Sequence, residues 1–433
     1  MSAPRGLRII ALGPEHRDEV LRVDQAAFAF PSTEVDAQLD TAHFEWDRTF
    51  AAVRPSVGPR ERPASATWSE DEDLAGVMTS YSLSLAVPGC GAGVRTTPVA
   101  GLSWVSVHPD HRRRGVLTAM IRHHLEGLHE RGEAVSGLFA SEPLIYRRFG
   151  YGESASGARL TLDRGSALRP IAGVDQVRTT LSPAATEGNV ELVHQVFADA
   201  ERLRPGRIDR PLVATQGLLR DRPERHPGVE LGQLIVARRQ DRPTGYAFFR
   251  RANSWTAGGM PDGTVSVIEL VGLDAPSLHA LWSRVLDLDL MSQVNTPIVG
   301  LDDPLLAWLV DARSVPRRTD ALWLRLVDVD RAMTARGYAA DVDVVFELAD
   351  DLCPWNARRW HLTAAGEEVR CVPTTDEPGL QLDTRDLATA YLGGPSLASL
   401  ADAGLVLECQ PGAVAALSRA MRGAVEPAVP PMF

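Results

Sequence analysis

One stretch, Gly101 to Leu128, restricts the possible folds of this 433-residue chain more than any other. Gly101-Leu102-Ser103-Trp104-Val105-Ser106-Val107-His108-Pro109 reads as a strand that stops at its proline, which brings no N–H to a ladder. Asp110-His111-Arg112-Arg113-Arg114-Gly115-Val116-Leu117-Thr118 follows and opens a helix with Leu117, Ile121, Leu125 and Leu128 on one face. Three consecutive guanidinium groups at a helix start repel one another unless an anion sits among them. The N–H groups of the helix N-terminus complete such a phosphate site, and Gly115 lets the backbone come close. Taken alone, Arg112–Arg114 also reads as a solvated surface cluster. The strand before it, the glycine and the helix after it favour a pyrophosphate cradle.

The rest of the first 160 residues alternates strand and helix, an α/β texture. Leu7–Ile10 reads as a strand and Pro14 to Phe30 as a helix, with strands around Leu74–Leu85 and Val99–Val107. Residues 54 to 73 are rich in proline and charge and read as a solvated loop. From Val177 to Val310 the pattern repeats in looser form without the arginine run. Strands are expected at Leu234–Ala237, Gly245–Phe249 and Val265–Leu270, and an amphipathic helix at Ser277–Leu288. A degenerate duplicate of the first unit fits this order. After Pro316 the texture changes, with strands expected at Ala321–Val327 and Val342–Leu348 and helical segments at Asp383–Leu392 and Ser396–Ala403. The chain ends Val425-Glu426-Pro427-Ala428-Val429-Pro430-Pro431-Met432-Phe433, too rich in proline for a helix, so it dangles or docks. Boundaries at 1–165, 166–316 and 317–433 follow.

Composition excludes several chemistries. All 45 basic residues are arginine, so Schiff-base, P-loop and Ser-x-x-Lys lysine chemistry is ruled out. With 56 acidic residues the net charge is −11, which disfavours nucleic acid and suits cationic partners. Cys90, Cys353, Cys371 and Cys409 form no Cys-x-x-Cys pair, and His108, His111, His123 and His124 have no metal-ligand spacing, so no metal is expected. No apolar run is long enough to span a membrane and no secretory leader is read, which makes the cytoplasm the default address.

Arg112-x-x-Gly115-x-Leu117 resembles the acyl-CoA pyrophosphate loop of GNAT acetyltransferases, with Leu117 where glycine or alanine is usual. Ser141-Glu142-Pro143-Leu144-Ile145-Tyr146-Arg147-Arg148-Phe149-Gly150-Tyr151-Gly152 is similar to the GNAT segment whose tyrosine lies near the thioester sulfur. Together with Gly101-Leu102-Ser103, Leu322-Trp323-Leu324-Arg325, Tyr391-Leu392-Gly393 and a terminal phenylalanine, these motifs resemble the enhanced intracellular survival (Eis) subgroup over nearly the whole chain. The resemblance implies an α/β (α+β) chain of two tandem GNAT-like domains and a sterol-carrier-protein-like domain, assembled as a homohexamer.

It also implies acetyl-CoA as co-substrate. The backbone of Val105, Ser106 and Val107 would meet the pantetheine arm, and Ser141 and Glu142 would lie beside it. The cradle itself comprises Arg113, Arg114, Gly115, Val116, Leu117 and Thr118. By the same resemblance Tyr146 is the general acid for the departing thiolate and the Phe433 carboxylate the general base. A chain-end carboxylate has an ordinary pKa near ~3.5 and is a weak base in water. Phe28, Phe30, Glu34, Asp36, Asp40, Glu45 and Trp46 mix aromatic and acidic groups where an acceptor lip is expected, although core packing plus a solvated face explains them equally. The expected reaction is acetyl transfer to a primary amine of a polycationic acceptor, either an aminoglycoside-like polyamine or a lysine side chain. A lipid or ligand carrier with a vestigial site and a protein or peptide acetyltransferase are the alternatives.

Overall fold

The computed structural model describes residues 6–29, 41–56, 72–91, 93–201, 203–222, 226–311 and 316–433. In the first unit, strands β1 (Arg8–Ala11), β2 (Phe50–Pro55), β3 (Glu72–Pro88), β4 (Val94–Val107), β5 (Val135–Leu138) and β6 (Gly152–Glu153) form one sheet with a late addition. Strand Trp323–Leu326 slots between β5 and β6, antiparallel to both. That segment, assigned from sequence to the third unit, is thus an interior strand of the first sheet. Its four residues are all buried. Arg325 in this strand is fully buried and grips Asp350 with two bonds of 2.7 Å, tying the sheet to the chain that follows.

The helix Arg17–Phe28 packs on β3 and β4 at one end of this sheet, and the helix Val116–Arg131 crosses from β4 to β5. Val116, Met120, Ile121, Leu125 and Leu128 of the latter are buried. Leu117 sits only partly buried, one position off the stripe read from sequence. The first helix ends at Phe28 with Ala29 left-handed, so the expected Phe30 terminus lies outside the described residues. The expected loop at 54–73 begins and ends inside strands, because Arg54-Pro55 pairs with Glu72-Asp73; residues 57–71 are outside the described set.

A second sheet carries the same plan. After β7 (Ser156–Arg159) come β8 (Thr161–Asp163), β9 (Arg178–Pro183), β10 (Gln233–Arg239), β11 (Arg242–Ala252), β12 (Gly263–Gly272) and β13 (Met291–Asn295). The order is β8-β13-β12-β11-β10-β9, with β12 and β13 parallel and the helix Ala275–Leu286 crossing between them. A third sheet, from Val342–Ala349 to Val406–Glu408, packs with helices Thr384–Ala390 and Ala413–Met421. Its core is continuous with that of the first unit: Val99 and Val135 share one cluster with Leu324, Phe346, Leu382 and Leu417. Such shared burial makes the third unit a wall of the first rather than a detachable appendage.

Candidate active site

Strands β4 and β5 pair only at Ala100 with Ser136 and Gly101 with Gly137. Beyond that point β4 continues to Val107 while β5 ends at Leu138, so the strands splay. The opposite edge of β4 has a register shift against β3 where Val77 meets Ser106 and Thr79 meets Ser103. Trp104 lies in this bulge with φ of 54°, an uncommon conformation for a bulky side chain. Its ring is held edge-on against Phe44, centroids 4.9 Å apart. The result is a bent strand whose β5-side edge, from Leu102 to Val107, has no strand partner among the described residues and offers main-chain groups to an extended ligand. The Ser106 side chain points the other way, into the fold, and donates a 2.5 Å bond to the buried Asp24 carboxylate.

At the base of the splay Ser136 links three elements. Its hydroxyl donates to the Ala100 carbonyl at 3.2 Å and contacts Tyr151 Oη at 2.9 Å and His124 Nε2 at 3.1 Å. Burial drives the His124 pKa down to about 3, with the nearby Arg48 charge a second cause, so the ring is neutral and structural.

Where β4 ends, Pro109–His111 makes a single tight turn and His111 is fully buried 3.4 Å from the Asp73 carboxylate. Arg113 (φ 60°) and Gly115 (φ 79°) then bend the chain through left-handed conformations, and the helix begins at Val116. No side chain caps it, no acid lies in its first turn, and its first intrahelical bond runs from Ala119 N–H to the Gly115 carbonyl. The N–H groups of Val116, Leu117 and Thr118 therefore face outward without helical acceptors. Arg112, Arg113 and Arg114 are all exposed, and none pairs with a described carboxylate. This concave array of N–H groups and guanidiniums suits a diphosphate.

The far end of the splay is closed by the chain terminus. The tail is held by Glu426 N–H donating to Asp302 Oδ2 (3.0 Å), by Ala428 N–H donating to the Pro205 carbonyl (2.7 Å), and by Ser103 Oγ donating to a Phe433 oxygen (3.2 Å). The Phe433 ring packs edge-on against Phe139 at 5.2 Å. Gly101 makes room for it, since a Cβ there would stand 2.8 Å from the ring. Tyr146 ends the short helix Pro143–Tyr146, is 9% exposed, and lines one cavity of about 320 Å³ with Asp24, Ser141, Phe139, Met432 and Phe433. Burial, reinforced by the Glu142 charge, pushes its hydroxyl up to about 12. A second cavity of about 370 Å³ lies on the other side of Met432 and Phe433, walled by His43, Glu45, Tyr81 and Asp209.

Of the residues read as an acceptor lip, Phe28 lines the first cavity and Glu45 the second, while Trp46 packs on Phe44 at 5.3 Å. Phe30, Glu34, Asp36 and Asp40 lie outside the described residues. Ser141 and Glu142 are exposed at the rim. Sequence reasoning missed Asp24, which one helical turn before Phe28 places on the same face, and also Ser103, Phe139 and Tyr81. It also missed Asp209, which comes from the second unit and carries no local signal.

Residues 8–154 match an acetyltransferase (GNAT) domain, residues 206–336 a second acetyltransferase (GNAT) domain, and residues 329–430 a sterol carrier protein domain. An uncharacterized N-acetyltransferase of Streptomyces avermitilis is 40% identical over 84% of this chain and 88% of its own length. N-acetyltransferase Eis of Mycobacterium tuberculosis is 32% identical over 76% of this chain and 79% of its own length. The crystal structure of Eis1 from Mycobacterium abscessus superposes with a TM-score of 0.77 at 30% identity, covering 97% of this chain and 98% of that one.

Proposed function

Because the chain belongs to the Eis family of GNAT N-acetyltransferases, we propose that it moves the acetyl group of acetyl-CoA onto a primary amine of a polycationic acceptor, with Phe433 as base and Tyr146 as hydrogen-bond donor to the departing sulfur. Arg113, Arg114 and the N–H groups from Gly115 to Thr118 would hold the diphosphate. The unpaired edge of β4 around Val105 and Val107 would take the pantetheine, with a main-chain N–H polarising the acetyl carbonyl. The amine surrenders a proton to the Phe433 carboxylate and its lone pair attacks the thioester carbon. The tetrahedral centre collapses with cleavage of the C–S bond, and its nitrogen gives up a second proton that ends on the departing sulfur, leaving the neutral amide and the CoA thiol.

A Tyr146 hydroxyl near 12 stays protonated at all working pH values. Complete transfer to a thiolate of ordinary pKa ~8.5 would run uphill by roughly 3 to 4 units. Its contribution is therefore a hydrogen bond that strengthens as charge develops on sulfur. The support for this reading is one cavity, at the mouth of the β4–β5 splay, that Tyr146 and Phe433 line together. Released thiol, measured over a panel of amines with the acetylated product weighed by mass spectrometry, tests it. Tyr146→Phe should lower kcat by roughly tenfold to a hundredfold with CoA affinity intact; full kcat in that variant removes Tyr146 from the chemistry.

A further inference from the structure

The second sheet opens a wedge of its own. β12 and β13 pair only from Gly263 to Ser266, and β12 runs on to Gly272 with no strand on that side among the described residues. A cavity of about 300 Å³ lies at this wedge, a size that suits a small ligand. Leu270, Leu278, Trp282 and Ile298 give it apolar walls, and the chain end passes along it at Ala428 and Val429. It shares no lining residue with the two cavities that Phe433 borders.

Arg207 brings an uncommitted cation to this cavity. Its main chain is fixed, because its carbonyl accepts the Ala86 N–H at 2.8 Å. The residue is half-buried and its Nε fully so, yet the guanidinium has no hydrogen bond or ion pair among the described residues. Burial lowers its pKa from the usual arginine value, as expected of a cation drawn out of water. The carboxylates nearby are engaged. Glu269 accepts from Arg210 at 2.9 Å and from Tyr246 Oη at 2.6 Å. Asp303 caps the helix Pro304–Trp308 through the Leu305 N–H at 2.9 Å. Asp274 takes the Ser277 N–H and Arg239. Arg204, the other guanidinium on the wall, pairs with Asp302 at 2.5 Å. A desolvated guanidinium without a partner is costly, and an oxyanion supplied from outside would relieve it through two parallel N–H···O bonds. Asp303 and Asp274 border the same space, so one negative charge fits there better than the two of a phosphate ester.

We propose that this cavity of the second GNAT-like unit binds a small carboxylate with an apolar tail, its head on Arg207 and its tail against Leu278 and Trp282. Calorimetry on the full chain with hexanoate, hexanol and hexyl phosphate tests it. Hexanoate should bind once per chain and about tenfold or more tightly than hexanol, and Arg207→Met should weaken it by about tenfold. Methionine fills much of the same space and leaves no charge to desolvate. The unliganded variant should therefore unfold at the same temperature as the unaltered protein or higher. In the unaltered protein, absent hexanoate binding, equal binding of acid and alcohol, or tighter binding of hexyl phosphate would each overturn the proposal. So would an unchanged hexanoate affinity in Arg207→Met, or a clear loss of its thermal stability, which would make Arg207 a structural charge. No step of the test needs acetyl transfer, so its result stands apart from that of the catalytic reading.

Discussion

The two GNAT-like units differ most sharply at the head of the crossing helix. In both, a long strand and a short parallel strand pair briefly and then part: β4 with β5 at two positions, β12 with β13 from Gly263 to Ser266. In the first unit the helix between them starts at an uncapped glycine preceded by three exposed arginines with no carboxylate partner among the described residues. In the second it starts at Asp274, whose Oδ1 accepts the Ser277 N–H at 2.8 Å and whose Oδ2 takes Arg239 Nη1 at 3.0 Å. Pro276 removes a further donor from that first turn. The second unit has thus placed its own carboxylate where the first leaves room for an anion. On the proposed reading, the same fold would bind a diphosphate or support according to whether its helix dipole is open or already satisfied.

The most severe way to break this contrast is to give the first unit the second unit's acid. Gly115→Asp puts a carboxylate and a Cβ at a left-handed cap, and calorimetry should find CoA binding weaker by on the order of a thousandfold. Unaltered binding would mean that the helix head is not the phosphate site.

Acid should strike the first unit next. His124 has a folded pKa of about 3, below its unfolded value near ~6.5, so its contribution is present above pH ~6.5 and is lost as pH falls toward 3. Urea unfolding should show a loss of about 1.4 kcal/mol per pH unit in that window, or ~3 kcal/mol by pH 4.5. His124→Gln, which does not titrate, should flatten that slope.

Gly101→Ala sharpens the comparison at the tail. The added methyl meets the Phe433 ring and the Leu83 side chain, so the terminus should be displaced and kcat should fall on the order of thirtyfold while CoA affinity holds. Equal activity in a folded variant would detach the chain end from catalysis. The smallest effect belongs to the second unit: Asp274→Ala should cost ~1 kcal/mol in thermal or urea unfolding and leave cofactor affinity unchanged.

Local features were legible in the sequence. The strand, arginine run, glycine and helix from Gly101 to Leu128 are consecutive, so their geometry follows from neighbours along the chain. The Tyr146 segment and the proline-rich end were legible for the same reason. Pairings set by distant chain were not. Trp323–Leu326 looks like the opening of a new unit, yet its place is the first sheet, because nothing local states which edge a strand will join. Asp209 looks like any loop acid until Leu85 pairs with Ile208 and carries it to the β3 edge. Trp104 gave no warning of its bulge, since its positive φ is imposed by the register of β3 against β4.

A crystal structure with bound CoA measures the central contrast most directly. The account requires one CoA per chain, its diphosphate within hydrogen-bond distance of the N–H groups from Gly115 to Thr118 and its sulfur near Tyr146. Diphosphate density at the Asp274 helix head, or anywhere away from residues 113–118, would contradict it.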